Sequence, residues 1–247
     1  MSLTVIGSFV SPYVRKVLAC MELKGLDYEI DPITPFFGND EFTRMSPLRR
    51  IPVLIDGETV LSDSTVICAY LDEAYGGYAL MPDGPRDRAR ARWLEEFADT
   101  RLGELFIWGL FYQKFVRRMV WQEEADMDRV TKVLEEDAPA ALDYLEGELP
   151  GEGYLFGPLG LADIALTSFF VNARYVGFEV DAKRWPRVAR FIADVLAEPV
   201  MAKLLGIEAI QMNASIKGRR QALIDAGVKL TETSWGDREP RRGVMAL

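Results

Sequence analysis

Ser11 opens the first amphipathic segment of the chain, Ser11-Pro12-Tyr13-Val14-Arg15-Lys16-Val17, and a hydroxyl in that place can do two things. It can cap the helix, its ordinary role, which contributes about 1 kcal/mol. It can also donate a hydrogen bond to an anion that the unpaired N–H groups and the dipole draw to the helix start. A thiol held there has its pKa lowered from ~8.5 toward 7 or below. Two other segments point the same way. Ile51-Pro52-Val53-Leu54 places a proline at the opening of a short apolar strand, and Leu61-Ser62-Asp63-Ser64 places an acid and a hydroxyl at another helix start. Each has a plain structural meaning by itself, an edge proline and a capped helix. Together they ask for a small anionic ligand that carries a thiol.

Composition removes the competing chemistries. The chain has no histidine, which excludes a Ser-His-Asp or Cys-His nucleophile and any His-ligated metal. No imidazole is present to make Ser11 a nucleophile, so its chemistry is that of a donor. The two cysteines, Cys20 and Cys68, fall on apolar helical stripes and read as buried thiols of a reducing compartment. A net charge of −9 argues against a nucleic-acid surface. No apolar run approaches the roughly 20 residues that span a bilayer, and no secretory signal precedes Leu3, so a soluble, cytoplasmic protein is expected.

The elements that must position these residues follow from periodicity. Residues 3–7 form a short apolar run, and Val14, Val17, Leu18 and Met21 then repeat at the helical spacing until Gly25. A second strand is predicted over 28–33, and an irregular helix over 36–45. Residues 53–55 and 59–61 form a hairpin about Asp56-Gly57-Glu58. Ile67, Tyr70, Leu71 and Ala74 restore the helical period. The order β-α-β-α-β-β-α describes a small mixed sheet with helices on its faces, an α/β thioredoxin-like domain over residues 1–76. Gly and Pro punctuate a linker over 77–85. An all-α helical domain is predicted over 86–205: a long helix after Pro85, a helix over 127–149 kinked or broken at Pro139, a helix over 161–176 apolar nearly all round, and two more near 186–196 and 199–205.

Residues 206–247 form a C-terminal extension with seven Lys/Arg against five acids, net +2, which leaves −11 for the body before it. Its last dozen residues lack periodicity. They read first as a solvated tail, the alternative being an extension folded back on the acidic body, over the active site.

Taken with Ser46-Pro47-Leu48-Arg49-Arg50-Ile51-Pro52-Val53-Leu54 and Gly157-Pro158-Leu159-Gly160-Leu161-Ala162-Asp163-Ile164, these motifs resemble the cytosolic glutathione transferases with a serine active site, over about residues 3–205. The resemblance implies the glutathione transferase fold, with glutathione as co-substrate and no metal. It implies that Ser11 stabilises the glutathione thiolate, that Ile51 offers its backbone to glutathione before a cis Pro52, and that Ser64 holds the γ-glutamyl carboxylate with Asp63 near the ammonium. Arg50 would meet the glycyl carboxylate, with Arg49 as the fallback. Tyr13, Trp108, Phe111, Tyr112 and Phe115 would line the pocket for an apolar or aromatic electrophile. A homodimer is implied, in which Asp99 reaches the partner's glutathione.

Conjugation in detoxification, isomerisation, peroxide reduction and ether cleavage all stay open at this point. The reading from a different class is a non-catalytic binding or regulatory protein on the same fold. The sequence departs from the family at Gly160, where a Ser or Thr usually completes a capping box with Asp163.

Overall fold

The computed structural model describes residues 3–215 and 217–243. It divides into two compact units, Met1–Ala79 with Pro199–Leu247, and Leu80–Glu198. The last predicted helix therefore belongs with the thioredoxin-like part rather than with the helical domain. The boundaries differ from the expected 1–76, 86–205 and 206–247 because helix packing, not the change in composition, sets them.

In the first unit, β1 (Leu3–Ile6), β2 (Tyr28–Asp31), β3 (Val53–Asp56) and β4 (Thr59–Ser62) form one sheet in the order β2-β1-β3-β4. β1 runs parallel to β2 and antiparallel to β3, and β3 and β4 form the expected hairpin. α1 (Pro12–Leu23) and α3 (Ser64–Ala74) pack on each other. Cys20 and Cys68 meet at that contact, fully buried free thiols with sulfurs 3.7 Å apart. The stretch expected as an irregular helix over 36–45 is a 3-10 turn, Pro35–Phe37, and a short α2, Asp40–Met45, capped by Asn39.

The second unit opens with α4 (Pro85–Phe97), which runs on into a π-helical segment, Ala98–Trp121. The helix expected over 127–149 is α5 (Met127–Lys132), a π-helical turn (Val133–Asp137) and α6 (Ala138–Glu148). Pro139 falls where the π-helical turn passes into α6, and the helix is not broken there: Asp137 and Ala138 both keep helical backbone. α7 (Leu161–Tyr175) is buried at every position from Leu161 to Ala173, as its all-round apolar sequence requires. α8 (Pro186–Ala197) completes the unit.

The start of α7 explains the missing capping hydroxyl. A Cβ on Gly160 would lie 3.2 Å from the Leu80 carbonyl oxygen, which accepts a hydrogen bond from Leu161 N, so a serine would have to push this backbone back by a few tenths of an ångström. Only the acid half of the box remains. Asp163 Oδ2 accepts from Gly160 N at 2.8 Å and Oδ1 from Leu155 N at 2.9 Å.

The C-terminal region is not a solvated tail. α9 spans Pro199–Asn213, so residues 206–213 are its second half, and α10 covers Arg219–Asp225. Residues 229–231 then lie along β2: Ile30 N donates to Lys229 O at 3.0 Å and Thr231 N donates to Ile30 O at 3.2 Å. This parallel bridge covers an edge that would otherwise offer unpaired backbone to other chains. The buried Asp31 carboxylate fastens it, accepting from Ser234 Oγ at 2.8 Å and Trp235 N at 2.7 Å. Farther on, Asn39 N donates to Trp235 O and Arg241 N donates to Phe36 O. The final residues of the expected tail, 244–247, lie outside the described residues.

Burial pushes the Asp163 carboxyl up to about 6, against the pull of its backbone N–H partners. A folded-state pKa above the unfolded one adds stability that is present below about pH 4 and is lost as pH rises through about 6. The unfolding free energy of the wild type relative to Asp163→Asn should therefore fall by something on the order of 3 kcal/mol over that window. Urea titrations of both proteins across it measure this, and a pH-independent difference contradicts the assignment.

Candidate functional site

Strand register brings the three chemistry-bearing segments to one end of the sheet. Ile6, the last residue of β1, pairs with Val53, the first of β3, and Val53 pairs with Ser62, the last of β4. Ser11 follows β1 by one loop, Ile51-Pro52 immediately precedes β3, and Asp63-Ser64 immediately follows β4. With neighbouring strands ~4.8 Å apart, the three strand ends lie within about 10 Å, the reach of a tripeptide.

Gly7 starts the first loop with φ +155°, and a Cβ there would lie 2.5 Å from Val14 Cγ2 and 3.2 Å from Ile51 Cβ. Only glycine lets the first turn of α1 and the segment before β3 approach the same backbone. Ser11 is the N-cap of α1: its Oγ accepts from Val14 N at 3.4 Å, and Pro12 holds the first helical position. The cap uses the oxygen as an acceptor, and a hydroxyl so placed can still donate its proton. Ser11 is half-buried, as is Tyr13 two residues on.

The Ile51-Pro52 bond is cis. Ser46 Oγ, itself buried, brackets the residue before it, accepting from Arg50 N at 2.9 Å and donating to Arg50 O at 2.8 Å. Arg49 takes a positive φ of 51°, which turns its side chain inward. There it donates to Gly38 O at 2.9 Å, to Pro35 O and to Thr43, over the Phe42 ring. Arg49 is thus committed to holding the 35–43 segment, whereas the Arg50 side chain is exposed.

Asp63 also has a positive φ, 94°, and is exposed. Its Oδ1 caps α3, accepting from Thr65 N at 2.9 Å and Val66 N at 3.2 Å. Such backbone costs on the order of 1–3 kcal/mol and is kept where the surroundings hold it. Ser64, the first residue of α3, is buried. The arrangement offers two helix starts with hydroxyls, one exposed guanidinium and one exposed carboxylate, which is complementary to a zwitterionic peptide carrying an anionic sulfur.

The aromatic candidates form two ring pairs on the π-helical segment. Trp108 lies 5.6 Å from Tyr112, and Phe111 stacks on Phe115 at 5.0 Å. Phe111 and Tyr112 are buried, while Trp108 and Phe115 are half-buried. Tyr13 belongs to the other unit. Among the described residues, no group of three or more His, Cys, Asp or Glu could hold a metal ion, and no helix is long and apolar enough to cross a membrane.

Sequence reasoning missed the polar groups that α9 sends beneath the first loop. Arg15 and Lys16, on the outward face of an amphipathic helix by periodicity, are each 1% exposed: Arg15 lies beneath α9, which packs on α1, and Lys16 Nζ donates to Thr65 Oγ1 of α3 at 3.3 Å. Arg15 donates to Glu208 Oε2 from Nε at 3.0 Å and from Nη2 at 2.7 Å. Gln211, one turn later, bonds to Phe9 N and Ser8 Oγ. The available signal was the adjacent Arg15-Lys16 pair in an apolar helix, which demands a buried counter-charge from elsewhere in the chain.

Known proteins match the chain along most of its length. The family model described as glutathione S-transferase, N-terminal domain, matches residues 5–79, and that described as glutathione S-transferase, C-terminal domain, matches residues 113–194. A protein named glutathione S-transferase U7 from Arabidopsis thaliana is 26% identical over 81% of this chain and 85% of its own. The crystal structure of a glutathione S-transferase from Rhodospirillum rubrum superimposes with a TM-score of 0.74 at 25% identity, covering 82% of this chain and 91% of that one. A maleylacetoacetate isomerase from Methylobacterium extorquens, solved with bound malonate and glutathione, gives a TM-score of 0.68 at 26% identity, covering 83% and 97%.

The two adjacent arginines should separate cleanly. Arg49→Ala leaves buried carbonyls without a donor and is expected to lower the unfolding free energy by about 2–3 kcal/mol. Arg50→Ala should leave stability within about 0.5 kcal/mol and weaken glutathione binding roughly tenfold, the loss of one charged hydrogen bond. Denaturant titration and calorimetry on both variants measure this, and wild-type affinity in Arg50→Ala removes it from the site.

Proposed function

The chain belongs to the cytosolic glutathione S-transferase family and is a glutathione transferase; within that activity we propose that the Ser11 hydroxyl stabilises the glutathione thiolate for attack on a small apolar or aromatic electrophile. The observation that carries this reading is the strand register, which places Ser11, Ile51-Pro52 and Asp63-Ser64 at one end of the sheet. Glutathione lies along that end, with its backbone paired to Ile51, its γ-glutamyl carboxylate at the Ser64 helix start, its ammonium toward Asp63 and its glycyl carboxylate toward Arg50. The helix start of α1 and one hydroxyl donor then lower the thiol pKa; each unit is worth about 1.4 kcal/mol in favour of the thiolate. The half-buried Trp108 and Phe115 are the candidates to receive the electrophile. A cytoplasmic location fits a glutathione-dependent reaction and two reduced thiols.

The protein acts as a homodimer in this reading. In the first unit Val60 and Val66 are 43% and 49% exposed, apolar side chains that a second copy would cover. Light scattering that returns the mass of a single chain would remove the dimer.

Ser11→Ala tests the mechanism. Glutathione affinity should stay within a few-fold, while turnover with an aromatic electrophile at neutral pH falls by two to three orders of magnitude, as for other preorganised donors to an anion. Activity should partly return at alkaline pH, where thiolate forms unaided. The competing donor is the Tyr13 phenol. If Ser11→Ala keeps full rate and thiolate absorbance while Tyr13→Phe loses both, the catalytic hydroxyl belongs to Tyr13.

A further inference from the structure

The loop that carries Ser11 is held at every residue by hydrogen bonds, and two of them come directly from α9. Gln211 is 2% exposed. Its Oε1 accepts from Phe9 N at 3.1 Å, and its Nε2 donates to Ser8 Oγ at 3.0 Å and to Pro32 O at 3.4 Å. Ser8 Oγ in turn accepts from Val10 N at 3.3 Å, and Ser8 O accepts from Ser11 N at 3.0 Å. Arg15, locked to Glu208 one turn before Gln211, donates to Val10 O at 3.4 Å. Residues some 200 positions away in sequence thus set the path of 8–10, and with it the point from which the Ser11 hydroxyl projects.

We propose that Gln211 is a positioning residue for the glutathione thiolate, acting through the Ser8–Ser11 turn; the inference rests on the reading of Ser11 as the thiolate donor. A donor worth orders of magnitude in rate must be fixed to a fraction of an ångström, and a four-residue loop beginning with glycine does not fix itself. Gln211 supplies both a donor and an acceptor from a rigid helix, so it sets two adjacent loop residues at once. Glutathione's own carboxylates are held elsewhere, by the segments flanking β3 and β4. Loss of Gln211 therefore disturbs the sulfur end of the ligand and spares its affinity.

The test compares Gln211→Leu, Ser11→Ala and the double variant, each checked for fold by circular dichroism. The readouts are the ultraviolet thiolate absorbance of bound glutathione against pH and the pH profile of kcat/KM with an aromatic electrophile. Gln211→Leu is expected to raise the bound thiol pKa by about one unit, tenfold less thiolate below it, with the KM for glutathione within about threefold of wild type. In the Ser11→Ala background the same substitution should add nothing, because its effect passes through that hydroxyl. A shift that persists undiminished in that background overturns the proposal. A thiol pKa changed by Ser11→Ala but not by Gln211→Leu sinks the proposal alone, whereas one unmoved by Ser11→Ala sinks the Ser11 reading and this proposal with it. Should Gln211→Leu fail to fold, Ser8→Ala removes the same link from the loop side. It should raise the pKa in the same direction, and an unchanged value overturns the role of Gln211.

Discussion

The absence of a side chain at Gly7 is the constraint on which the site end of the sheet depends. Val14 from the first turn of α1 and Ile51 from the segment before β3 both rest against this one backbone, at distances that a Cβ would occupy. The positive φ then directs the chain out of β1 into the loop toward Ser11. A larger residue would force apart the two elements that must lie side by side, and no repacking of flexible side-chain tips would relieve it, because Val14 and Ile51 are buried and β-branched.

A second constraint comes from the far end of the chain. The charge asymmetry between a body of −11 and a C-terminal segment of +2 has a structural expression in Lys229 against Asp27, Arg220 against Asp31 and Arg241 against Asp40. Exposed pairs of this kind contribute little individually. The fixed attachment comes from the strand added to β2 and from the buried Asp31 carboxylate. Burial pushes that carboxyl up, and the Ser234 hydroxyl, the Trp235 N–H and Arg220 pull it back. The same segment therefore closes the sheet edge and immobilises the 36–40 stretch that Arg49 grips from the other side.

The thioredoxin-like half was legible in the sequence because its signals are local. Periods of two and 3.6, the turn at Gly57 and the cap at Ser11 each act within a few residues. The boundary of α9 was not legible, since its buried face carries Glu208 and Gln211, polar residues whose burial is decided by partners 193 and 203 positions away. The commitment of Arg49 to the 35–43 segment was equally closed to sequence reading. It turns on a single left-handed backbone angle at Arg49, a conformation that nothing in an Arg-Arg pair announces. Gly160 was legible only as an exception to a motif. Its reason, a carbonyl from Leu80, lies eighty residues away.

A chain without histidine must obtain reactivity from placement rather than from proton transfer by an imidazole. In the proposed reading the thiol is brought by the ligand, and the protein contributes one hydroxyl, a helix start and rigid geometry. This accounts for where the chain puts its costliest residues. Arg15, Glu208 and Gln211 are all at most 2% exposed, and a buried ion pair is weak support for stability because desolvation offsets much of its attraction. An apolar contact between α1 and α9 would serve the fold as well. What it could not do is fix the direction of a loop, since dispersion has no orientation and hydrogen bonds do. Directional groups beneath residues 8–10 suit the proposed role of Ser11, because a hydrogen bond donated by its hydroxyl works at one distance and one angle.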